Sequence, residues 1–249
     1  MLKSRLLVVL TINDGVLFRT KRFQPDYRYT LNFVDTWSTD EIVILDVTRS
    51  SRDSRANFLS VVASLGEKCF VPLTVGGGVR TLEDVEVFFR NGADKIVINT
   101  GALNRPEFIS EVASAYGSQS VVVSIDAKKV KTQKEATVMS SNGAIDTGRK
   151  VKSWAREVES RGAGEILLTS VERDGSLEGL DIGLIDAVCT AVQIPVLALG
   201  GVGNWSHIKE AFLTTKVAGV CTQNIYHFTE RSIKSAKKFL FQSGIAVRQ

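Results

Sequence analysis

Cysteine and histidine are scarce in this chain, at three and two among 249 residues. Cys69, Cys189 and Cys221 each stand alone in an apolar run. That spacing argues against a disulfide framework and reads as reduced core thiols of a cytoplasmic protein. With no clustered Cys or His, a zinc site is not expected, and no other cofactor is called for. No apolar run approaches the length of a bilayer span. The opening Met1-Leu-Lys-Ser-Arg5 lacks the long hydrophobic region and cleavage site of a signal peptide. No block of Lys and Arg interleaved with aromatics marks a nucleic-acid surface. Net charge is +4 and the pI about 9.0, a mild bias toward anionic ligands spread over interspersed charges. No linker or low-complexity segment divides the chain, so one domain over 1–249 is expected.

What the chain does have is a stretch written twice. Thr74-Val-Gly-Gly-Gly-Val-Arg80 through Ile98-Asn-Thr100 lies without a gap on Ala198-Leu-Gly-Gly-Val-Gly-Asn204 through Thr222-Gln-Asn224. Gly76 falls on Gly200, Gly77 on Gly201, and Asn99 on Gln223. Each copy reads as strand, Gly-rich turn, amphipathic helix, strand. A repeat spaced by half the chain constrains the architecture, here to half-domains of about 1–117 and 118–249. A Gly-rich turn between strand and helix is also a seat for a phosphate.

Apolar, β-branched runs are expected as strands at 5–11, 41–46, 70–75, 94–99, 119–126, 164–169, 195–199 and 218–224. Helical patterns follow each, at 30–37, 54–66, 81–91, 105–116, 150–161, 181–192, 205–214 and 229–242. Continuous apolar strands alternating with helices predict a closed (β/α)8 TIM barrel, an α/β fold. A doubly wound open sheet is the alternative, but it rarely repeats by halves. The exception is 130–149, where Asn142-Gly143 between two short strands reads as a hairpin.

In such a barrel the chemistry lies at the C-terminal strand ends. There the sequence places Thr11, Asp46, Gly76-Gly-Gly78, Asn99-Thr100, Asp126, Thr169, Asp174-Gly175 and Gly200-Gly201. Any one Gly or Asp after a strand is ordinary turn chemistry. The doubled Gly turn beside Asn99-Thr100, and again beside Asn224, implies two anion seats and a long substrate with a phosphate at each end. At the opposite face Arg5, Glu41, Lys95 and Glu165 each begin a strand. The two-residue period puts Arg5 with Thr11, Lys95 with Asn99, and Glu165 with Thr169. Two cations and two anions entering one barrel end are expected to form an internal ion-paired ring.

These residues resemble the HisF family, the cyclase subunit of imidazole glycerol phosphate synthase, over nearly the whole length. The likeness is carried by Thr74-Val-Gly-Gly-Gly78, Gly92-Ala-Asp-Lys95, Gly117 to Lys128, Arg161 to Ser170 and Arg173-Asp-Gly175. The resemblance implies a lyase-type cyclase of histidine biosynthesis, which takes ammonia through the barrel from a glutaminase (HisH-like) subunit docked below as a heterodimer. It further implies that Arg5, Glu41, Lys95 and Glu165 form the ammonia gate and that Asp94 lies at the partner interface. Gly78, Asn99 and Thr100 would hold one phosphate. Asp174, Gly175, Gly201 and Asn224 would hold the other, with Thr169 lining the substrate. The first loop, Arg19-Thr-Lys-Arg-Phe23, would close over it.

The departures are as informative. The family uses two aspartates as general acid and base, at the ends of strands one and five. Asp126 stands at the second position and Thr11 at the first, and a hydroxyl without a local base cannot exchange a proton at neutral pH as a carboxylate does. Leu199, Gln223 and Asn224 are bulkier than the family's usual residues at the second seat. Thr11, the Arg19–Phe23 loop and Cys69-Phe-Val-Pro72 resemble instead a paralogous branch associated with surface-polysaccharide genes. That likeness implies delivery of ammonia for amidation of a sugar. A catalytically silent subunit that only activates a glutaminase is a further reading of the same features.

Overall fold

The computed structural model describes residues 3–29, 39–48, 54–129, 135–223 and 233–248. Of Phe18, Arg19, 24–29 and Ser54 it describes the backbone alone. The helix expected at 30–37 lies outside the described residues.

Eight parallel strands close on themselves. They are β1 (Arg5–Asn13), β4 (Glu41–Asp46), β5 (Leu73–Gly76), β6 (Lys95–Ile98), β7 (Val121–Lys128), β10 (Glu165–Ser170), β11 (Val196–Leu199) and β12 (Gly219–Thr222). Each pairs with the next, and β12 returns to β1 with Arg5 opposite Gly219. Around them lie α1 (Ser54–Lys68), α2 (Leu82–Arg90), the short α3 (Thr100–Asn104), α4 (Glu107–Tyr116), α5 (Val151–Ser160), α6 (Ile182–Cys189), α7 (Trp205–Thr214) and α8 (Ile233–Gln242). The protein is a (β/α)8 TIM barrel.

Two apolar clusters follow from strand alternation. Side chains facing outward, such as Leu6, Ile42, Ile96 and Ile166, pack under the helices with Phe58, Phe88, Phe108 and Trp154. Those facing inward, Leu7, Val9, Val43, Val97, Val122, Leu167, Leu197 and Cys221, fill the barrel. The cysteines are free; Cys189 and Cys221 are buried and Cys69 partly so. Burial pushes the Cys189 thiol up to about 11.

The repeated helices start on equivalent signals. Thr81 caps α2 in a reciprocal box with Asp84, and Asn204 caps α7 through His207 N–H.

Two antiparallel hairpins rise above the C-terminal strand ends. The hairpin expected around Asn142-Gly143 is present as β8 (Thr137–Ser140) and β9 (Ile145–Lys150), and β8 pairs with β7. The segment expected as a first loop is instead a hairpin of β2 (Val16–Lys21) and β3 (Gln24–Tyr29). Its cause is local. Asp14 and Gly15 have φ of 51° and 73°, the turn that lets β1 fold straight back onto β2.

Candidate functional site

A cavity of about 820 Å³ opens at the C-terminal strand ends. Its walls include Thr11 of β1, Asp126 of β7 and Thr169 of β10, with Gly78, Asn99 and Gln223 from just beyond β5, β6 and β12. Thr100, Asp174, Gly175 and Gly201 line it too. Of the sequence-expected mouth residues among the described ones, all but Gly76 thus line one space. Asn224 lies outside the described residues, as does the side chain of Arg19.

Asp126 sits at the head of β7, 7% exposed. Asn99 Nδ2 donates to its Oδ2 at 2.8 Å, and Ser124 Oγ donates to its Oδ1 at 3.2 Å. Burial pushes its carboxyl up to about 6. The two donors pull down, because they favour the charged form, and the Asp174 charge pushes up. An acid that titrates near neutrality in a cavity is suited to proton transfer. Across the mouth Thr11 is 8% exposed, and its hydroxyl donates to Gln223 Oε1 at 3.4 Å.

The first Gly turn is positioned by α1. Arg55 Nη1 donates to Gly77 O at 2.9 Å, while Nη2 pairs with Asp84 at 3.1 Å. The guanidinium also lies 4.4 Å over the Phe88 ring. Gly77 has φ of +126° and its repeat counterpart Gly201 has +103°. A Cβ would fall on Asp46 in the first and on the Gly179 carbonyl in the second. The copies are not conformational twins, however. Gly200 has φ of +102°, whereas its counterpart Gly76 ends β5 as an ordinary strand residue.

The two hairpins meet over the mouth. Arg22 N–H donates to Asp174 O at 3.0 Å, and Phe23 N–H donates to Asp174 Oδ2 at 3.0 Å. Burial pushes the Asp174 carboxyl above the usual range, against the Phe23 and Thr20 donors that draw it down. From the other side, Ser141 N–H donates to Thr100 Oγ1 at 3.2 Å and Asn142 Nδ2 to Val47 O at 3.2 Å. A Cβ on Gly143 would stand 2.7 Å from the Phe23 ring, so the hairpin tips abut.

At the opposite end the four charges form a closed ring. Arg5 pairs with Glu165 at 2.7 Å and with Glu41 at 3.3 Å, and Lys95 pairs with Glu41 at 3.0 Å and Glu165 at 2.9 Å. Thr74 Oγ1 donates to Glu41 Oε1 at 2.6 Å. Burial works against the Arg5 charge, yet Glu165 and Glu41 outweigh it and hold its pKa above the ordinary value. Asp94, just before β6, is exposed, and its carboxylate accepts from Leu73 N–H at 2.8 Å.

The sequence reading missed Ser124, hidden in the run Val121-Val-Val-Ser-Ile-Asp126. Its signal was the period of two, which puts it on Asp126's face of the strand. The reading also took Asn99 for an anion seat alone, whereas its side-chain amide is bonded to Asp126. A family model described as "Histidine biosynthesis protein" matches residues 7–232.

Proposed function

The chain belongs to the histidine biosynthesis protein family, the family domain of HisF-type barrels, and from that premise we propose that it is the ammonia-using synthase subunit of a glutamine amidotransferase. The observation that carries this reading is the neutral ring of Arg5, Glu41, Lys95 and Glu165 beneath an apolar barrel interior, with Asp126 above. An isomerase on the same barrel has no use for such a gate. An interior of Leu7, Val43, Val97 and Leu167 tolerates neutral ammonia but penalises an ammonium ion.

In this reading a glutaminase docks on the ring face, near Asp94, and its ammonia enters past the four charges. Arg5 and Glu165 at one side, and Lys95 and Glu41 at the other, would exchange ion-pair partners as it passes. Gly78, Asn99 and Thr100 would seat one anionic end of the acceptor. Asp174, Gly175 and Gly201 would seat the other, with Thr169 between. Asp126 then moves the proton that carbon–nitrogen bond formation releases.

In this reading the choice between acceptors turns on Thr11. The histidine-pathway cyclase reaction uses an acid and a base, and a missing carboxylate lowers such a rate by orders of magnitude. We therefore favour amidation of a surface-glycan sugar over the histidine-pathway cyclisation. The cyclase reading draws support from Asp126 and the doubled Gly turn. The test is turnover of the histidine-pathway ribulosyl intermediate by the purified chain with ammonium salts. Slow or undetectable turnover that Thr11→Asp raises supports the proposal; an ordinary enzyme rate from the parent chain sinks it.

A further inference from the structure

Ser124 stands two residues before Asp126 on β7, so both side chains face the barrel interior, Ser124 one pleat nearer the ring. Its register partner on β10 is Leu167, part of the interior cluster with Leu7, Val9, Val97 and Cys221. A hydroxyl in that surrounding, 6% exposed, needs a hydrogen-bond partner. It takes one carboxylate oxygen of Asp126, while Asn99, the residue after β6, takes the other. The two oxygens are thus held by donors from separate parts of the chain, one on β7 and one at the start of α3.

We propose that Ser124 is a positioning residue which, together with Asn99, clamps Asp126 so that a single carboxylate can both accept and return a proton opposite Thr11. The inference rests on reading Asp126 as the proton-transferring group. Burial alone drives a carboxyl toward its neutral form, and donors to the ionised form oppose that. With a partner acid such a balance is optional; with one carboxylate serving both roles, its proton affinity has to lie near the working pH. The charged residue acting on Asp126 among the described residues is Asp174. Its neighbours across the paired strands, Thr169 on β10 and Met139 on β8, are uncharged, as is Asn99.

The amide of Asn99 reports the same arrangement. Its Oδ1 is buried with no partner, so the amide orientation is dictated by Asp126 at the expense of its own carbonyl. Protonation of Asp126 supplies an O–H donor, and rotation of the amide would then let Oδ1 accept it.

The test is an NMR titration of the Asp126 side-chain carbonyl carbon in the isolated, 13C-aspartate-labelled chain, with the signal identified by its loss in Asp126→Asn. Ser124→Ala is expected to raise the midpoint by about one unit, a tenfold gain in proton affinity. Ser124→Thr, which keeps the hydroxyl, is expected to return it to the parent value. Should Ser124→Ala not fold, Ser124→Cys, with a weaker donor of similar size, carries the same expectation of an upward shift. A midpoint that does not move without the hydroxyl overturns the proposal, as does Ser124→Thr titrating like Ser124→Ala. No glutaminase or acceptor is needed, so a failed clamp leaves the amidotransferase reading standing, and failed ammonia transfer leaves the titration meaningful.

Discussion

At neutral pH the Asp126 carboxylate is a burden on the folded chain. Its pKa is about 6 in the fold against 3.8 ordinarily, first because burial disfavours the charge. A raised carboxyl favours folding when protonated, so its contribution is full below about pH 4 and is lost as pH rises through about 6. Asp126→Asn should therefore stabilise the protein at pH 7 to 8 by up to about 3 kcal/mol. The gain should vanish below about pH 4, as followed by urea denaturation across pH. The same substitution should abolish ammonia-dependent product formation in the assembled system; unchanged product would favour the silent, glutaminase-activating reading. Activity that depends on ionised Asp126 should fall as pH drops through about 6. Asp126 itself was legible in the sequence, because a lone carboxylate at a strand end in an apolar run is conspicuous. Its pKa was not, because that depends first on burial in the closed barrel, and then on Asn99 and Asp174, which are distant in the chain.

The elements divide in the same way. Strand β4 and helix α7 lie at the residues their apolar periods predict, 41–46 and 205–214. The hairpin at Asn142-Gly143 was legible from its turn residues. The β2–β3 hairpin was missed because the family resemblance cast Arg19–Phe23 as a closing loop, although Asp14-Gly15 carried a hairpin signal. That the two tips touch is a tertiary fact, and it gives a prediction. In Gly143→Val the new side chain meets the Phe23 ring on a backbone with φ of +74°, which a β-branched residue resists. The tips should part, and hydrogen exchange at the Arg22 and Phe23 amides bound to Asp174 should quicken about tenfold or more, an opening made easier by about 1.4 kcal/mol or more. Unaltered exchange would mean that the tips do not support each other.

For the whole molecule, the ring at the N-terminal end shows how closure brings distant charges together. Glu41 is 2% exposed at its side chain and binds Arg5, Lys95 and Thr74. Removing one member leaves buried charge uncompensated, so Glu41→Gln should destabilise by about 3–5 kcal/mol. Adding Lys95→Met removes the excess cation and leaves the balanced pair of Arg5 and Glu165, and the double variant should be more stable than the two single effects predict by about 1–3 kcal/mol. Denaturation midpoints of the three variants measure this, and strict additivity would argue against a coupled ring. The ring's members were legible from strand alternation alone, each at a strand start on the inward face.

By itself, then, the sequence determined the barrel, its polar mouth and the charged strand starts, since each follows from short-range period and residue type; the reading of Thr11 as a departure came from the family resemblance. Only the tertiary structure decided which groups act on one another. It joined Ser124 and Asn99 to the two oxygens of Asp126, turned the repeat into an uneven pair at Gly76 and Gly200, and set one hairpin tip against the other. Hydrogen bonds and desolvation act over a few ångströms, and closing the barrel is what brings residues far apart in the chain within that reach.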